Sequence, residues 1–394
     1  MQKRFRLGRL VFSIMPILML LTSGCLERVA GLVSSGGDVP ILCLDSVVSS
    51  RYKTWSKENF KAIEKLKEFA GKNRWRLVVA TSDSVKTISL ADCSTETIYS
   101  TKNQIKYAGL QNGGRLALIE RKPHSNSKRA KTFVVVLQDD KELLRIPLNK
   151  EPERGCYLGG NPLLVTDNYV VFPDGRKVMM YDIEAAETTL LLETREDTYL
   201  FAARKAGDRL YLVTVDTKRD PANSEMLVLS ASAPFGLVHK LPNVTNVMTI
   251  GNHIILERCG EIAKYSPETR RTEFLWKGTL LAAVDNYKFL FTSSTWKINQ
   301  LGFLALDFSL REYELLENKS REIAGDFSID TCYGVSYPVV SPDAQHVIVS
   351  DNSGSALVDS EYLVYDIASG EKAGAFYEPY MGKYYFKHIV GWTD

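Results

Sequence analysis

The side chains that could carry out chemistry are spread thinly along this chain of 394 residues. Histidine is the usual proton carrier and metal ligand at neutral pH, and the five histidines lie far apart in sequence: His124, His239, His253, His346 and His388. The nearest match to a G-x-S-x-G nucleophile turn is residues 334–338, "GVSYP", where proline replaces the second glycine. The chain has neither an H-E-x-x-H zinc motif nor a phosphate-binding Walker loop. The sequence therefore predicts no catalytic residues, no metal ligands and no cofactor.

One thiol has surroundings that predict a covalent modification. Cys25 follows three small residues, "TSG", which close an N-terminal segment with four cationic residues and an apolar run from Leu10 to Leu21. A run of about 12 residues is shorter than the roughly 20 that a spanning helix needs, and the three-part pattern is typical of a secretory signal peptide. The stretch "LTSGC" resembles the lipobox of bacterial lipoproteins. The resemblance implies that residues 1–24 are a lipoprotein signal peptide and that Cys25 carries the lipid.

The implied anchor predicts where the protein resides. Each buried acyl CH₂ contributes about 0.8 kcal/mol, and the three chains of a bacterial lipoprotein would make the attachment effectively permanent. Leu26 after the cysteine, rather than an aspartate, resembles the outer-membrane sorting pattern of Gram-negative lipoproteins. We therefore expect a lipid-anchored envelope protein, at the outer membrane facing the periplasm in a Gram-negative host. Ordinary secretion, or an uncleaved membrane anchor, is the alternative.

Charge and cysteine content exclude two classes of protein. The full chain carries +2, but four of its 49 basic residues and none of its 47 acidic residues precede Cys25, so the remainder carries −2. That balance does not indicate nucleic-acid binding. The five cysteines after Cys25 form no C-x-x-C pair, which excludes a zinc ribbon or a thioredoxin-type site. We expect most of them to lie in strands as small apolar residues.

The composition changes along the chain and predicts its organisation. Residues 25–55 predict the lipidated N-terminus and a Gly- and Ser-rich tether. Residues 56–72 predict one amphipathic helix, because Phe60, Ile63 and Leu66 recur at helical spacing and Gly71 supplies a stop. From residue 73 to 394, short β-rich runs alternate with turn clusters, which is typical of an all-β domain.

These runs repeat and predict a β-propeller. Similar units open with an apolar run, pass a turn and continue through a second, a third and a fourth strand; residues 168–194, 251–277 and 337–378 show the plan. A four-stranded sheet cannot cover both of its faces, so neighbouring sheets must pack on one another in a ring. Residues 73–394 divide into seven units of about 46, near the usual blade length, although six or eight blades remain possible. Ile389 to Trp392 are expected to complete the first blade and close the ring.

The last unit carries a family resemblance. "SPDAQHVIVS" and "YLVYDIASGE" resemble the TolB-like and WD-repeat-like propellers. Ala344 stands where such a turn usually has glycine, and no Trp-Asp dipeptide ends any unit. The resemblance implies a fold and says little about function.

Two segments could contact a partner. The stretch "RKPHSNSKRAK" between two strands holds five basic residues and no acid: Arg121, Lys122, Lys128, Arg129 and Lys131. The stretch from 376 to 386 is crowded with aromatic residues, among them four tyrosines: Tyr377, Tyr380, Tyr384 and Tyr385. Tyrosine offers a large contact area at a low entropy cost, whereas a solvated loop and packing between blades are the alternative interpretations.

The sequence thus predicts a membrane-anchored lipoprotein whose propeller is a non-catalytic binding or scaffolding module for an envelope protein or glycan. The alternative is a propeller hydrolase or lyase acting on glycan or peptide, whose residues would converge on the central channel from different blades and leave no contiguous motif.

Overall fold

The computed structural model describes the propeller region and none of the first 75 residues. The described residues are 76–89, 94–111, 114–122, 131–152, 160–216, 221–232, 235–298, 304–325, 338–351, 360–370, 372–378 and 388–393. The predicted signal peptide, the tether and the helix at 56–72 therefore lie outside the described residues. No helix among the described residues is long and apolar enough to cross a bilayer.

The described strands form seven four-stranded antiparallel sheets, which we number as blades 1 to 7. Each blade pairs its strands in order from the innermost to the outermost. In chain order the strands are β1 (Arg76–Ala80), β2 (Ser84–Ser89) and β3 (Thr95–Ser100) of blade 1; β4 (Gln104–Leu110), β5 (Leu116–Arg121), β6 (Thr132–Gln138) and β7 (Lys141–Leu148) of blade 2; β8 (Leu164–Val165), β9 (Tyr169–Asp174), β10 (Lys177–Asp182) and β11 (Glu187–Glu193) of blade 3; β12 (Thr198–Ala206), β13 (Arg209–Asp216), β14 (Glu225–Ser230) and β15 (Leu237–Pro242) of blade 4; β16 (Val244–Ile250), β17 (His253–Arg258), β18 (Glu261–Ser266) and β19 (Arg271–Lys277) of blade 5; β20 (Thr279–Ala283), β21 (Lys288–Ile298), β22 (Leu304–Glu314) and β23 (Lys319–Ala324) of blade 6; β24 (Val339–Val340), β25 (His346–Asp351), β26 (Ser360–Asp366) and β27 (Lys372–Glu378) of blade 7; and β28 (His388–Thr393), which returns to blade 1. A short 3₁₀ helix, Pro221–Asn223, precedes β14. The all-β propeller with seven blades is confirmed.

The last strand closes the ring. β28 pairs antiparallel with β1, with Trp392 opposite Leu77 and His388 opposite Ala80, and so supplies the innermost strand of blade 1. Because a strand from the C-terminus completes a sheet begun at residue 76, neither blade 1 nor blade 7 is left as an open end. The expected closure by Ile389 to Trp392 is confirmed.

The core lies between the blades. Six clusters of buried apolar side chains each draw on two neighbouring blades, from blades 1 and 2 through to blades 6 and 7. At the junction of blades 5 and 6, for example, Phe289 stacks on Tyr313 with ring centroids 5.2 Å apart, and both are buried. Burying such a side chain contributes about 1.5–3 kcal/mol. Each blade is thus stabilised mainly by its neighbours, as the repeat predicted.

All seven outermost strands carry a one-residue bulge against the strand beside them. The unpaired residues are Ile98, Leu143, Leu191, Val238, Leu275, Ile323 and Ala373. A bulge twists an edge strand and weakens its ability to pair with another chain. The bulge recurs in every blade, but no pattern in the sequence predicts it.

The turn "SPDAQH" contains Ala344, which stands where the propellers that this unit resembles usually have glycine. Ala344 has φ of +58°, in the left-handed region that favours glycine. Ser341 Oγ donates to Asp343 Oδ1 at 2.6 Å and accepts from the His346 backbone N–H at 2.8 Å. The left-handed conformation costs an alanine free energy. The hydrogen bonds of the Ser341 hydroxyl hold the turn in this conformation.

Candidate interaction face

The two faces of the propeller differ in the connections that they carry. Two kinds of connection lie at one end of every blade: the connection between the second and third strands, and the connection from the outermost strand to the next blade. We call this end the loop face. The other connections lie on the opposite end, the turn face. Between the described strands, no connection on the turn face is longer than six residues. The loop face carries six connections that are each at least eight residues long, and the longest are residues 149–163 and 325–338. Binding residues gather on loops held by a rigid scaffold, so the loop face is the candidate interaction face.

Hydrogen bonds tie the connections of the loop face to one another. The Asn243 backbone N–H donates to Ser224 O at 2.7 Å, and the Gly278 backbone N–H donates to Gly260 O at 2.9 Å. Each bond joins the connection between the second and third strands of a blade to the connection leaving for the next blade. The two bonds therefore hold the ends of neighbouring strands of blades 4 and 5 together on this face.

The two ends of the predicted basic segment lie on the loop face. Arg121 ends β5, Lys131 precedes β6, and the Lys122 backbone N–H donates to Lys131 O at 2.8 Å. Lys122 and Lys131 are exposed, while Arg121 Nε lies 3.3 Å from a carboxylate oxygen of Glu151 in the next loop. Lys128 and Arg129 lie outside the described residues.

The aromatic segment leaves from the same face. The end of β27 at Glu378 pairs with Ser360, and the start of β28 at His388 pairs with Ala80; both partners lie at the loop-face ends of their blades. Tyr377 belongs to β27, and Tyr380, Tyr384 and Tyr385 lie outside the described residues. The strands that flank the two predicted contact segments thus end on one face of the ring, although the segments are some 250 residues apart in sequence.

A buried carboxylate that sequence reasoning missed lies next to the start of the basic segment. Glu120, next to Arg121, has no exposed surface and accepts hydrogen bonds from Asn103 Nδ2 at 2.8 Å, from Arg145 Nη1 at 3.0 Å and from the Tyr99 hydroxyl. Burial, together with the hydrogen bond to Glu120, raises the pKa of Tyr99 to about 12. Its hydroxyl therefore stays a proton donor at neutral pH.

The partners of Glu120 join two blades. Tyr99 lies in the outermost strand of blade 1, and Arg145 lies in that of blade 2, where its Nε and Nη2 also donate to Glu142 at 2.9 and 2.7 Å. The hydrogen bonds to Glu142 and Glu120 raise the pKa of Arg145. Four ionisable side chains thus meet here, but they bind one another, which fits a role in holding the blades together.

Other second strands end in an acid with a similar role. Asp174 accepts from Asn149 Nδ2 at 2.8 Å and from the Lys150 backbone N–H at 2.6 Å, which joins blade 3 to the loop from blade 2. Glu257 accepts from the Leu280 backbone N–H at 3.0 Å, at the start of blade 6. The available sequence signal was an acid at the last or next-to-last position of the second strand in blades 2, 3, 4, 5 and 7.

A polar network also joins the innermost strands of blades 2 and 4 through Asn161, which lies in the connection before the innermost strand of blade 3. The side-chain amide of Asn161 donates to the Tyr107 hydroxyl at 2.6 Å and accepts from Arg204 Nη1 at 3.1 Å. A Cβ at the preceding Gly160 would lie 2.2 Å from the backbone oxygen of Phe201, so only glycine permits this approach. Burial raises the pKa of Tyr107.

The histidines of the described residues are not brought together. His239 stacks on Tyr265 with centroids 6.3 Å apart, His253 lies near Tyr287, and His346 is buried in blade 7, where burial lowers its pKa. Within the described part of the chain, no group of three His, Cys, Asp or Glu side chains is placed to hold a metal ion. Cys259 lies exposed in a turn rather than in a strand; Cys25 and the other cysteines lie outside the described residues.

This chain resembles known proteins in structure rather than in sequence. No protein-family profile and no curated protein sequence matches this chain. Similar solved structures include the WD40 domain of Neurospora crassa Pan2 (12% identity, TM-score 0.47, 73% of this chain and 81% of that one). They also include apo AztD from Citrobacter koseri (11%, 0.45, 81% and 97%) and a protein from Bacteroides uniformis described as a candidate 6-phosphogluconolactonase (9%, 0.49, 80% and 97%). The β-propeller fold that the resemblance implied is confirmed by the strand pairing of this chain itself.

Proposed function

We propose that this chain is a lipid-anchored binding module of the bacterial cell envelope, whose loop face holds an envelope protein; a glycan is the alternative ligand. The observation that supports the proposal is the unequal length of the connections on the two faces. A ring of paired strands supplies a rigid base, and the long loops supply the variable contacts.

The chemistry of the loop face favours a partner with an acidic patch. Lys122 and Lys131 are exposed side by side. The basic segment between them contains no acidic residue. Opposite charges across an interface steer the encounter and fix its orientation. The aromatic segment that starts from the same face would supply apolar contacts.

Charge reversal on the loop face is expected to release the partner. With Cys25 intact, crosslinking in the native host followed by affinity purification should recover one dominant protein. The double variant Lys122→Glu/Lys131→Glu should reduce its recovery roughly fivefold or more, because both cations would then repel an acidic patch. The measurement is the labelled-peptide ratio of that protein by mass spectrometry.

The matched control reverses two exposed cations on the turn face. Lys141→Glu/Arg271→Glu changes the net charge equally, beside the turns of blades 2 and 5, and should leave recovery within about twofold. Equal loss from both double variants would mean that net charge, rather than the loop face, governs binding. Recovery of no dominant protein would contradict a protein partner.

Removal of the predicted lipid attachment is expected to release the chain from the membrane. Cys25→Ser cannot accept an acyl chain, so the fraction that sediments with membranes should fall from nearly all to little. Immunoblotting of membrane and soluble fractions, with unprocessed precursor scored separately by its size, measures this. Processed Cys25→Ser chain that stays wholly with membranes would contradict the anchor.

A further inference from the structure

A cavity of about 290 Å³ lies between blades 3 and 4. Its lining comes mainly from β11 of blade 3, from β14 and β15 of blade 4, and from the connections beside these strands. Leu227 and Leu229 of β14 belong to one buried cluster with apolar side chains of blade 3, so contact between the blades fixes this wall. The volume is at the lower end of ligand-site volumes, so a ligand that fits must be small.

The cavity has a polar end and an apolar end. Glu193 ends β11, Arg195 lies in the connection that follows, and Glu225 begins β14, so these three charged residues lie toward the loop face. Phe235 and Leu237 lie toward the turn face, where a turn joins β14 to β15. The cavity therefore matches a small molecule that is charged at one end and apolar at the other.

The charged residues that line the cavity carry both signs and sum to zero: Glu193, Arg195, Glu225 and Lys240. The side chain of Glu225 is 18% exposed, and its Oε2 lies 3.8 Å from Nη2 of Arg195, beyond hydrogen-bond distance. Lys240 pairs with Leu227 and is thus a diagonal neighbour of Glu225, about 7–8 Å away on the same side of the sheet. Lys240 has no acidic group within 4 Å in the described part of the chain. One carboxylate and one ammonium group therefore remain available to a ligand.

We propose that this cavity binds a free α-amino acid with an apolar side chain of about the size of leucine. The ammonium group of the ligand donates to the Glu225 carboxylate, and the carboxylate of the ligand accepts from the Lys240 ammonium group. Charge-assisted hydrogen bonds of this kind are roughly twice as strong as neutral ones. The side chain of the ligand lies against Leu229, Phe235 and Leu237.

The balance of charge selects the class of ligand. A zwitterion gives each sign of charge in the lining an opposite charge and leaves the total at zero, whereas an anion or a cation would leave one sign unmatched. The site lies between two blades and contacts no part of the basic or the aromatic segment described above. The proposal therefore goes beyond the loop-face partner and does not depend on it.

The test is isothermal titration calorimetry of the full chain in detergent with L-leucine. Saturable binding is expected, with a Kd on the order of 10–100 μM, which is ordinary for so small a ligand. Glycine should bind about tenfold more weakly or less, because it has no apolar side chain to bury. N-acetyl-L-leucine, which lacks the ammonium group, and L-leucinamide, which lacks the carboxylate, should each bind about tenfold more weakly than L-leucine.

Two substitutions test which residue meets which charge. Glu225→Gln should weaken binding of L-leucine about tenfold but change binding of N-acetyl-L-leucine less than about twofold, because that ligand has no ammonium group to lose. Lys240→Gln should weaken binding of L-leucine to a similar extent but leave L-leucinamide unaffected, since it has no carboxylate. A merely structural role would weaken binding of all the ligands alike.

Matched controls make the same chemical changes elsewhere. Glu314→Gln alters a carboxylate that is 22% exposed and lies 3.1 Å from Lys288 in blade 6. Lys141→Gln alters a cation that, like Lys240, is exposed on an outermost strand. Both controls should change binding of L-leucine less than about twofold. Circular dichroism of each variant should show an unchanged fold.

Three outcomes would overturn the proposal. The first is no saturable binding of L-leucine to the unaltered chain at millimolar concentration. The second is equal weakening by Glu225→Gln and Glu314→Gln. The third is binding of N-acetyl-L-leucine and L-leucinamide as tight as that of L-leucine, which would mean that the charges do not recognise the ligand. Loss of the loop-face partner in crosslinking would leave the proposal unaffected.

Discussion

A chain that ends at residue 387 is expected to lose its cooperative fold. β28 forms a five-pair ladder with β1, and at about 1 kcal/mol for each hydrogen bond its removal costs about 5 kcal/mol before any apolar contact is counted. That loss is comparable with the whole stability of a typical domain, about 5–15 kcal/mol. It also exposes the edge of β1 and opens the ring. Thermal unfolding followed by circular dichroism should show no sharp transition.

A peptide supplied separately distinguishes ring closure from a general effect of truncation. Residues 386–394 added as a synthetic peptide should restore the transition by strand addition, and a scrambled peptide of the same composition should not. Removal of Asp394 alone should leave the unfolding midpoint nearly unchanged. A truncated chain that unfolds as sharply as the complete one, at the same temperature, would show that β28 does not close the ring.

Replacement of Glu120 by alanine is expected to be the most destabilising single substitution among the loop-face residues. It removes a fully buried carboxylate that accepts hydrogen bonds from Asn103, Arg145 and Tyr99. Breaking a buried ion pair by removing one partner costs about 3–5 kcal/mol, because the remaining groups are left without compensation. The free energy of unfolding in urea should fall by about 3 kcal/mol.

Glu142→Ala is the control, since Glu142 binds the same arginine. Its side chain is 39% exposed, against 0% for Glu120, and a solvated ion pair contributes about 1 kcal/mol or less. The predicted order is therefore a large effect for Glu120→Ala and a small one for Glu142→Ala. Equal effects would mean that burial does not set the strength of this network.

The architecture could be predicted because its main signals are local in the chain. Strands joined by short turns pair with their sequence neighbours, so the runs in residues 168–194 correspond to β9, β10 and β11 of one blade. The innermost strands were harder to find, because β8 and β24 have only two residues each and the visible repeat begins at the second strand. Unit length then predicted seven blades, and residues 389–392 predicted the closure.

The candidate site could be predicted only as separate segments. The basic residues around Arg121 and the tyrosines near residue 380 were recognised by composition, but their flanking strands share a face only because antiparallel pairing brings those strand ends to the same side of the ring. In the sequence, Glu120 looks like any acidic residue near the end of a strand. Its burial depends on Tyr99 from the preceding blade.

The sequence by itself determined the class of fold and indicated seven blades and the strand that closes the ring, since these follow from alternation, spacing and turns within each unit. Only the tertiary structure decided the bulge in every outermost strand and the acid bridges between blades. The bulges lie between the third and the outermost strand of each blade, and the bridges lie where one blade meets the next. The bridges depend on contacts between different units of the repeat, and no local pattern records those contacts.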